Sequence, residues 1–92
     1  MIISFADQDT ADLFAGKRVR RFASLATVAE RKLQQLDSAV TLDALRVPRG
    51  NRLEALMSDR KGQYSIRINR QWRICFKWGA GDAFDVEIAD YH

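Results

Sequence analysis

Tyr64-Ser65-Ile66-Arg67-Ile68-Asn69-Arg70-Gln71-Trp72-Arg73-Ile74-Cys75-Phe76-Lys77-Trp78 contains two runs with an apolar side chain at every second position. Period two is the pattern of a strand with one face buried and the other open. Tyr64, Ile66 and Ile68 make the first apolar row, and Trp72, Ile74, Phe76 and Trp78 the second. Parity then constrains the loop, because directly opposed residues of antiparallel strands share a face. A two-residue loop at Arg70-Gln71 would set Asn69 against Trp72 and mix the faces. A three-residue loop at 69–71 pairs Ile68 with Trp72 and sets Arg67 opposite Arg73. Two neighbouring guanidiniums repel unless an anion lies between them.

A third run follows the turn Gly79-Ala80-Gly81-Asp82: Phe84, Val86 and Ile88 alternate with Asp85 and Glu87. With a loop at 79–81, Glu87 would face Arg73 from this strand. The arginine would then belong to a cross-strand ion pair, worth under about 1 kcal/mol at a surface. Both readings of Arg73, anion holder and ion-pair member, stay open at this point. The run leads directly into Asp90-Tyr91-His92, and His92 is the only histidine. Chain ends usually fray, but a strand reaching this far would hold the phenol and imidazole at the sheet edge near Arg67 and Arg73.

Upstream of the sheet the period changes. Residues 1–5 read as a short apolar strand. Asp9 is placed to cap a helix running to about Ala15, with Gly16 as its stop. Thr27 and Glu30 have capping-box spacing, and apolar positions at Leu25, Val28 or Ala29, Leu33 and Leu36 predict a second helix over 26–37. A short turn at 41–46 leads to Val47-Pro48-Arg49-Gly50, which suits a type I turn. Arg52 to Leu56 is an ambiguous strand, and 58–62 a loop. The expected fold is α+β: a small antiparallel β-sheet with two N-terminal helices packed on one face, residues 1–92 forming one domain.

The chain has 92 residues, 47% hydrophobic and 29% charged. A domain of this size buries somewhat more than ~60% of its unfolded surface and needs no staples. A single cysteine, Cys75, excludes an internal disulfide, and with one terminal histidine no zinc site is expected. Neither a metal nor a cofactor is expected, and a reducing cytoplasm is the default compartment. The first residues turn acidic at Asp7, unlike a signal peptide, and no apolar run is long enough to span a membrane. Residues 1–52 carry nine Lys/Arg against six Asp/Glu, whereas 53–92 carry six of each, so the net +3 lies in the helical half. Lys17, Arg18, Arg20 and Arg21 fall within five positions. Such a cluster attracts nucleic acid or an acidic partner, or is simply solvated charge.

Taken together, Asn51-Arg52-Leu53-Glu54-Ala55-Leu56, Gly62-Gln63-Tyr64-Ser65-Ile66-Arg67-Ile68-Asn69, Gln71-Trp72-Arg73-Ile74-Cys75-Phe76 and Val86-Glu87-Ile88-Ala89-Asp90-Tyr91-His92 resemble the HigB branch of the RelE-like toxins. The likeness spans essentially the whole chain. It implies a bacterial type II toxin, a ribosome-dependent endoribonuclease that enters the decoding site and cuts messenger RNA. The partner it implies is a helix-turn-helix antitoxin of the HigA type, the two together binding operator DNA. By the same resemblance the strand arginine is Arg73 and the C-terminal pair is Tyr91 and His92, with Asp90 beside them. Where well-known members carry a histidine before the central hairpin this chain has Glu54, and Met57 replaces a nearby basic residue.

Cleavage requires a base for the 2′-hydroxyl, an acid for the departing 5′-oxygen and cations for the developing charge. An imidazole with a pKa near ~6.5 suits either proton role. The terminal carboxylate beside His92 favours its protonated form, hence the acid. Glu54 is then the candidate base, and Arg73 with Arg67 the phosphate clamp. Tyr91 either stacks on a base or lids the sheet edge. Lys17, Arg18, Arg20 and Arg21 are expected to touch ribosomal RNA phosphates without reading sequence. Trp72 and Trp78 belong to the core, and Cys75 is inert. The alternative, in a chain with Glu54, is a binder of the same fold with weak or lost catalysis.

Overall fold

The computed structural model describes residues 1–91; His92 lies outside the described residues. Two α-helices, α1 (Gln8–Phe14) and α2 (Ala26–Ser38), precede four strands, β1 (Glu54–Ala55), β2 (Tyr64–Arg67), β3 (Trp72–Gly79) and β4 (Asp82–Asp90). The strands form one antiparallel sheet in the order β1-β2-β3-β4. Among the described residues, no helix is long and apolar enough to cross a membrane.

The central hairpin has the pairing that parity requires. Ile66 lies opposite Ile74 and Arg67 opposite Arg73, and the Ile68 amide donates to the Trp72 carbonyl at 2.9 Å. Asn69 makes the loop: its Oδ1 accepts from the amides of Gln71 and Trp72, both at 2.9 Å. This is the local side-chain-to-backbone bond that suits asparagine to turns. Ile66, Ile74, Phe76, Val86 and Ile88 pack against Leu13, Phe22, Ala29, Leu33 and Leu36 in one core. Trp72 and Trp78 pack at its margin.

The second hairpin is tighter than expected. Gly79 pairs with Asp82 across a two-residue turn. Ala80 and Gly81 both have positive φ, +52° and +83°, as a type I′ turn requires. A β-bulge then adds a residue to β4, with Asp85 at φ +52°. The tight turn pairs Phe84 with Lys77 and puts Ala83 on the core side, and the bulge returns Val86 and Ile88 to that side. Turn and bulge together carry Glu87 opposite Cys75 and bring Ala89 opposite Arg73. The expected Arg73–Glu87 ion pair is therefore absent, and Glu87 binds Arg60 at 3.0 Å.

Several local expectations are also corrected. The cap of α1 is Asp7, whose Oδ1 accepts from the Thr10 amide at 2.6 Å, whereas Asp9 lies in the first turn and pairs with Arg21. Gly16 does stop the helix, at φ +88°. Helix α2 begins at Ala26 after Leu25 with no side-chain cap, so Thr27 is already helical and no capping box forms. A 3-10 turn, Arg20–Phe22, feeds α2 directly. Pro48 is extended (ψ 161°), which moves the bend to a 3-10 turn at Arg49–Asn51. The buried Asn51 side chain there donates to the Leu45 carbonyl at 3.0 Å and accepts from Lys32. Residues 1–5 are not a full strand, but bridge β4 in parallel at Ile2–Ala83 and Phe5–Val86.

Thr10, fully buried, ties α1 to the sheet by accepting the Ile88 amide on Oγ1 at 3.1 Å. Thr10→Val keeps the shape but removes the acceptor, leaving a buried N–H unpaired at a cost of about 1–3 kcal/mol. Urea unfolding should show that loss; wild-type stability would mean the bond contributes nothing.

Candidate active site

Only one face of the sheet carries the helices. On the other, Leu56, Cys75 and Ala89 form a small apolar patch against which Tyr91 packs. Beside this patch Arg73 is anchored with its side chain only 12% exposed. Its Nε–H donates to Ser65 Oγ at 2.7 Å, and Nη2 donates to the Arg52 carbonyl at 2.7 Å. Arg52 can aim that carbonyl because it adopts a left-handed conformation (φ 45°, ψ 57°) between the 3-10 turn and β1. Glu54 of β1, with its side chain 57% exposed, brings Oε1 to 3.8 Å from Arg73 Nη2.

Arg73, Arg67, Arg52 and Arg70 line a groove of about 310 Å³ with Glu54 and Tyr91. Four arginines and one glutamate thus line the same groove, with the Arg73 guanidinium nearest the carboxylate at 3.8 Å. Arg67 is held by its own turn, Nε donating to the Asn69 carbonyl at 3.0 Å. Guanidiniums present planar forks of donors that suit phosphate oxygens, and like charges this close favour an anion between them.

Arg73, Arg67, Glu54 and Tyr91 are therefore brought together. Asp90 is not in this groove: it pairs with Trp72, accepts from Gln71 Nε2 at 3.1 Å, and borders a neighbouring groove on the far side of Tyr91. Arg21 borders that second groove as well, paired with Asp9 at 2.9 Å and lying 4.4 Å from the Phe22 ring centroid. Lys17, Arg18 and Arg20 line a separate cavity of about 620 Å³ where α1 ends and α2 begins. Lys17 also pairs with Asp12 at 3.7 Å. Met57 stands exposed beyond β1. Ser65, Arg52 and Arg70 are site residues that sequence reasoning missed. For Arg70 the signal was its place in the 69–71 loop.

A family model described as the RelE-like toxin of the type II toxin–antitoxin system HigB matches residues 3–92. The chain belongs to this family. Toxin HigB-1 of Vibrio cholerae serotype O1 is 36% identical over 90 residues, covering 96% of this chain and 95% of that one. Endoribonuclease HigB of Proteus vulgaris is 36% identical over 61 residues, covering 66% and 65%. The toxin–antitoxin complex YoeB–YefM from Staphylococcus aureus contains a chain with the same fold, at TM-score 0.61 and 16% identity, covering 100% of this chain and 98% of that one. These matches agree with the α+β, RelE-like architecture expected from the sequence.

Burial pushes the Cys75 thiol above its usual range, and burial also raises the Tyr91 phenol. The Cys75 Sγ–H approaches Tyr91 Oη at 3.9 Å. The folded state therefore keeps these protons to higher pH than the unfolded chain. Stability should be undiminished below the ordinary thiol pKa of about 8.5 and should fall as pH rises beyond it. Urea midpoints measured from pH 7 to 10.5 should decline in the wild type and less so in Cys75→Ala. A flat profile would contradict the shifts.

Proposed function

We propose that this HigB-family toxin is a ribosome-dependent endoribonuclease that cleaves messenger RNA in the decoding site. The observation that carries the proposal is the groove lined by four arginines, Glu54 and Tyr91 on the sheet face opposite the helices. Such a groove suits a phosphodiester. Similarity to a relative named an endoribonuclease supports the reaction class.

In this reading the 2′-oxygen attacks the adjacent phosphorus and the bond to the 5′-oxygen breaks, leaving a cyclic phosphate and a free 5′-hydroxyl. Glu54 takes the 2′ proton. Arg73, already fixed by Ser65 and Arg52, stabilises charge gathering on the phosphoryl oxygens, and Arg67 shares it. Tyr91 walls the groove and orients the nucleotide. His92 is assigned the proton for the leaving oxygen on resemblance alone. Asp90 supports the terminus through Gln71. Lys17, Arg18, Arg20 and Arg21 hold ribosomal RNA phosphates away from the chemistry.

So few groups suffice if the ribosome fixes the codon. Orientation contributes effective molarities of ~10⁵ M and above, against ~10²–10⁴-fold for proton transfer. The same logic gives little activity on free RNA. The partners in this reading are a helix-turn-helix antitoxin of the HigA type, operator DNA through the joint complex, and the ribosome, all in the cytoplasm. An antitoxin partner is supported by the family and by structural neighbours solved as toxin–antitoxin complexes. Glu54, standing where the resemblance expects histidine, favours a second reading: a binder that arrests growth with transcripts intact.

Mapping 5′ ends after induction separates the two. New ends within translated codons are expected, falling about 10²–10³-fold with Arg73→Ala and about 10²-fold with Glu54→Gln. Growth arrest without new ends would favour the binder, and cleavage unchanged in Arg73→Ala would remove the site. Deleting Tyr91-His92 should likewise relieve toxicity in plate assays; full toxicity would detach the terminus from the chemistry.

A further inference from the structure

Arg73 has a like-charged neighbour directly across the hairpin, Arg67. Repulsion alone would swing its long side chain outward. Instead it lies against the sheet, and the reason is an acceptor that no apolar residue could supply. Ser65 of β2 is fully buried between Glu54 and Cys75 of the flanking strands. Its Oγ receives the Arg73 Nε–H at 2.7 Å.

We infer that Ser65 is a positioning residue for Arg73, fixing the plane of the guanidinium in the groove. This rests on the nuclease reading above. The Ser65 hydroxyl and the Arg52 carbonyl occupy the edge of the fork that carries Nε and one side of Nη2. The opposite end, bearing Nη1, is thereby left to meet the scissile phosphate. Ser65 never touches RNA; it sets the angle at which Arg73 does. Glu54 Oε1 lies 3.8 Å from Nη2, so a turn of the guanidinium also changes its distance from the base. Misplacement of a charge-stabilising group by a fraction of its contact distance is felt in the transition state more than in ground-state binding.

The test is single-turnover cleavage of a ribosome-bound message by Ser65→Ala, with a thermal melt to verify folding. The expected result is a fall in kcat on the order of tenfold with KM unchanged. In an Arg73→Ala background the same substitution should cost nothing further, because the hydroxyl acts only through that guanidinium. In the NMR spectrum the Arg73 Nε–H should be protected from exchange in the wild type and lose that protection in Ser65→Ala. Wild-type kcat in Ser65→Ala, or an equal loss in the Arg73→Ala background, overturns the inference and leaves the nuclease reading standing. A wild-type protein that leaves the message intact overturns both.

Discussion

The pairing of Ile66 with Ile74 across a three-residue loop constrains everything else in this sheet. Strand side chains alternate between faces, so that one register sends Tyr64, Ile66, Trp72, Ile74 and Phe76 toward the helices. It also sends Ser65, Arg67, Arg73 and Cys75 to the other face. A slip of one residue would turn one strand over, burying Arg67 or Arg73 and exposing that strand's apolar row. The register is therefore enforced by the hydrophobic effect, and the charge arrangement on the open face is its by-product. Asn69 reinforces it locally by bonding two amides of the loop.

A by-product becomes a site only if the charges stay where the register puts them. Arg67 and Arg73 repel, and among the described residues the carboxylate paired with Arg73, that of Glu54, is 3.8 Å away and more than half exposed. The Coulomb energy of so exposed a contact is small. Short bonds to a buried hydroxyl and to a backbone carbonyl supply what that contact does not. The two-residue turn and the bulge at Asp85 contribute indirectly: together they set Glu87 opposite Cys75 and not Arg73, and Glu87 pairs with Arg60. Arg73 thus keeps donors for an outside anion.

Much of this was legible in the residues. Alternation along 64–78 placed two strands and their loop, and parity alone set Arg67 against Arg73. Helix α2 followed from spacing at Ala29, Leu33 and Leu36, and the end of α1 from Gly16. What escaped was decided by differences too small for pattern to resolve. Asp7 and Asp9 are both plausible caps, and the winner is the one whose carboxylate meets the Thr10 amide. The two-residue turn puts Phe84 on the open face and the bulge returns Val86 and Ile88 to the core, and neither breaks the local alternation, so the face of Phe84 and the partner of Glu87 were misread. Arg52 enters the site through a left-handed carbonyl, which no side-chain pattern encodes. Asn51 and Thr10 are polar residue types that carry no sequence signal of burial. They are buried because each satisfies backbone groups of another element.

The central claim is that one RNA phosphate occupies the groove beside Arg73. It is tested most directly by a structure of the toxin on a translating ribosome whose message carries a 2′-O-methyl block at the cleavage position. The expected density places a phosphate oxygen about 3 Å from an Arg73 Nη atom, with Glu54 and Tyr91 on either side. A message running instead past Lys17, Arg18 and Arg20, with no phosphate near Arg73, would contradict the account.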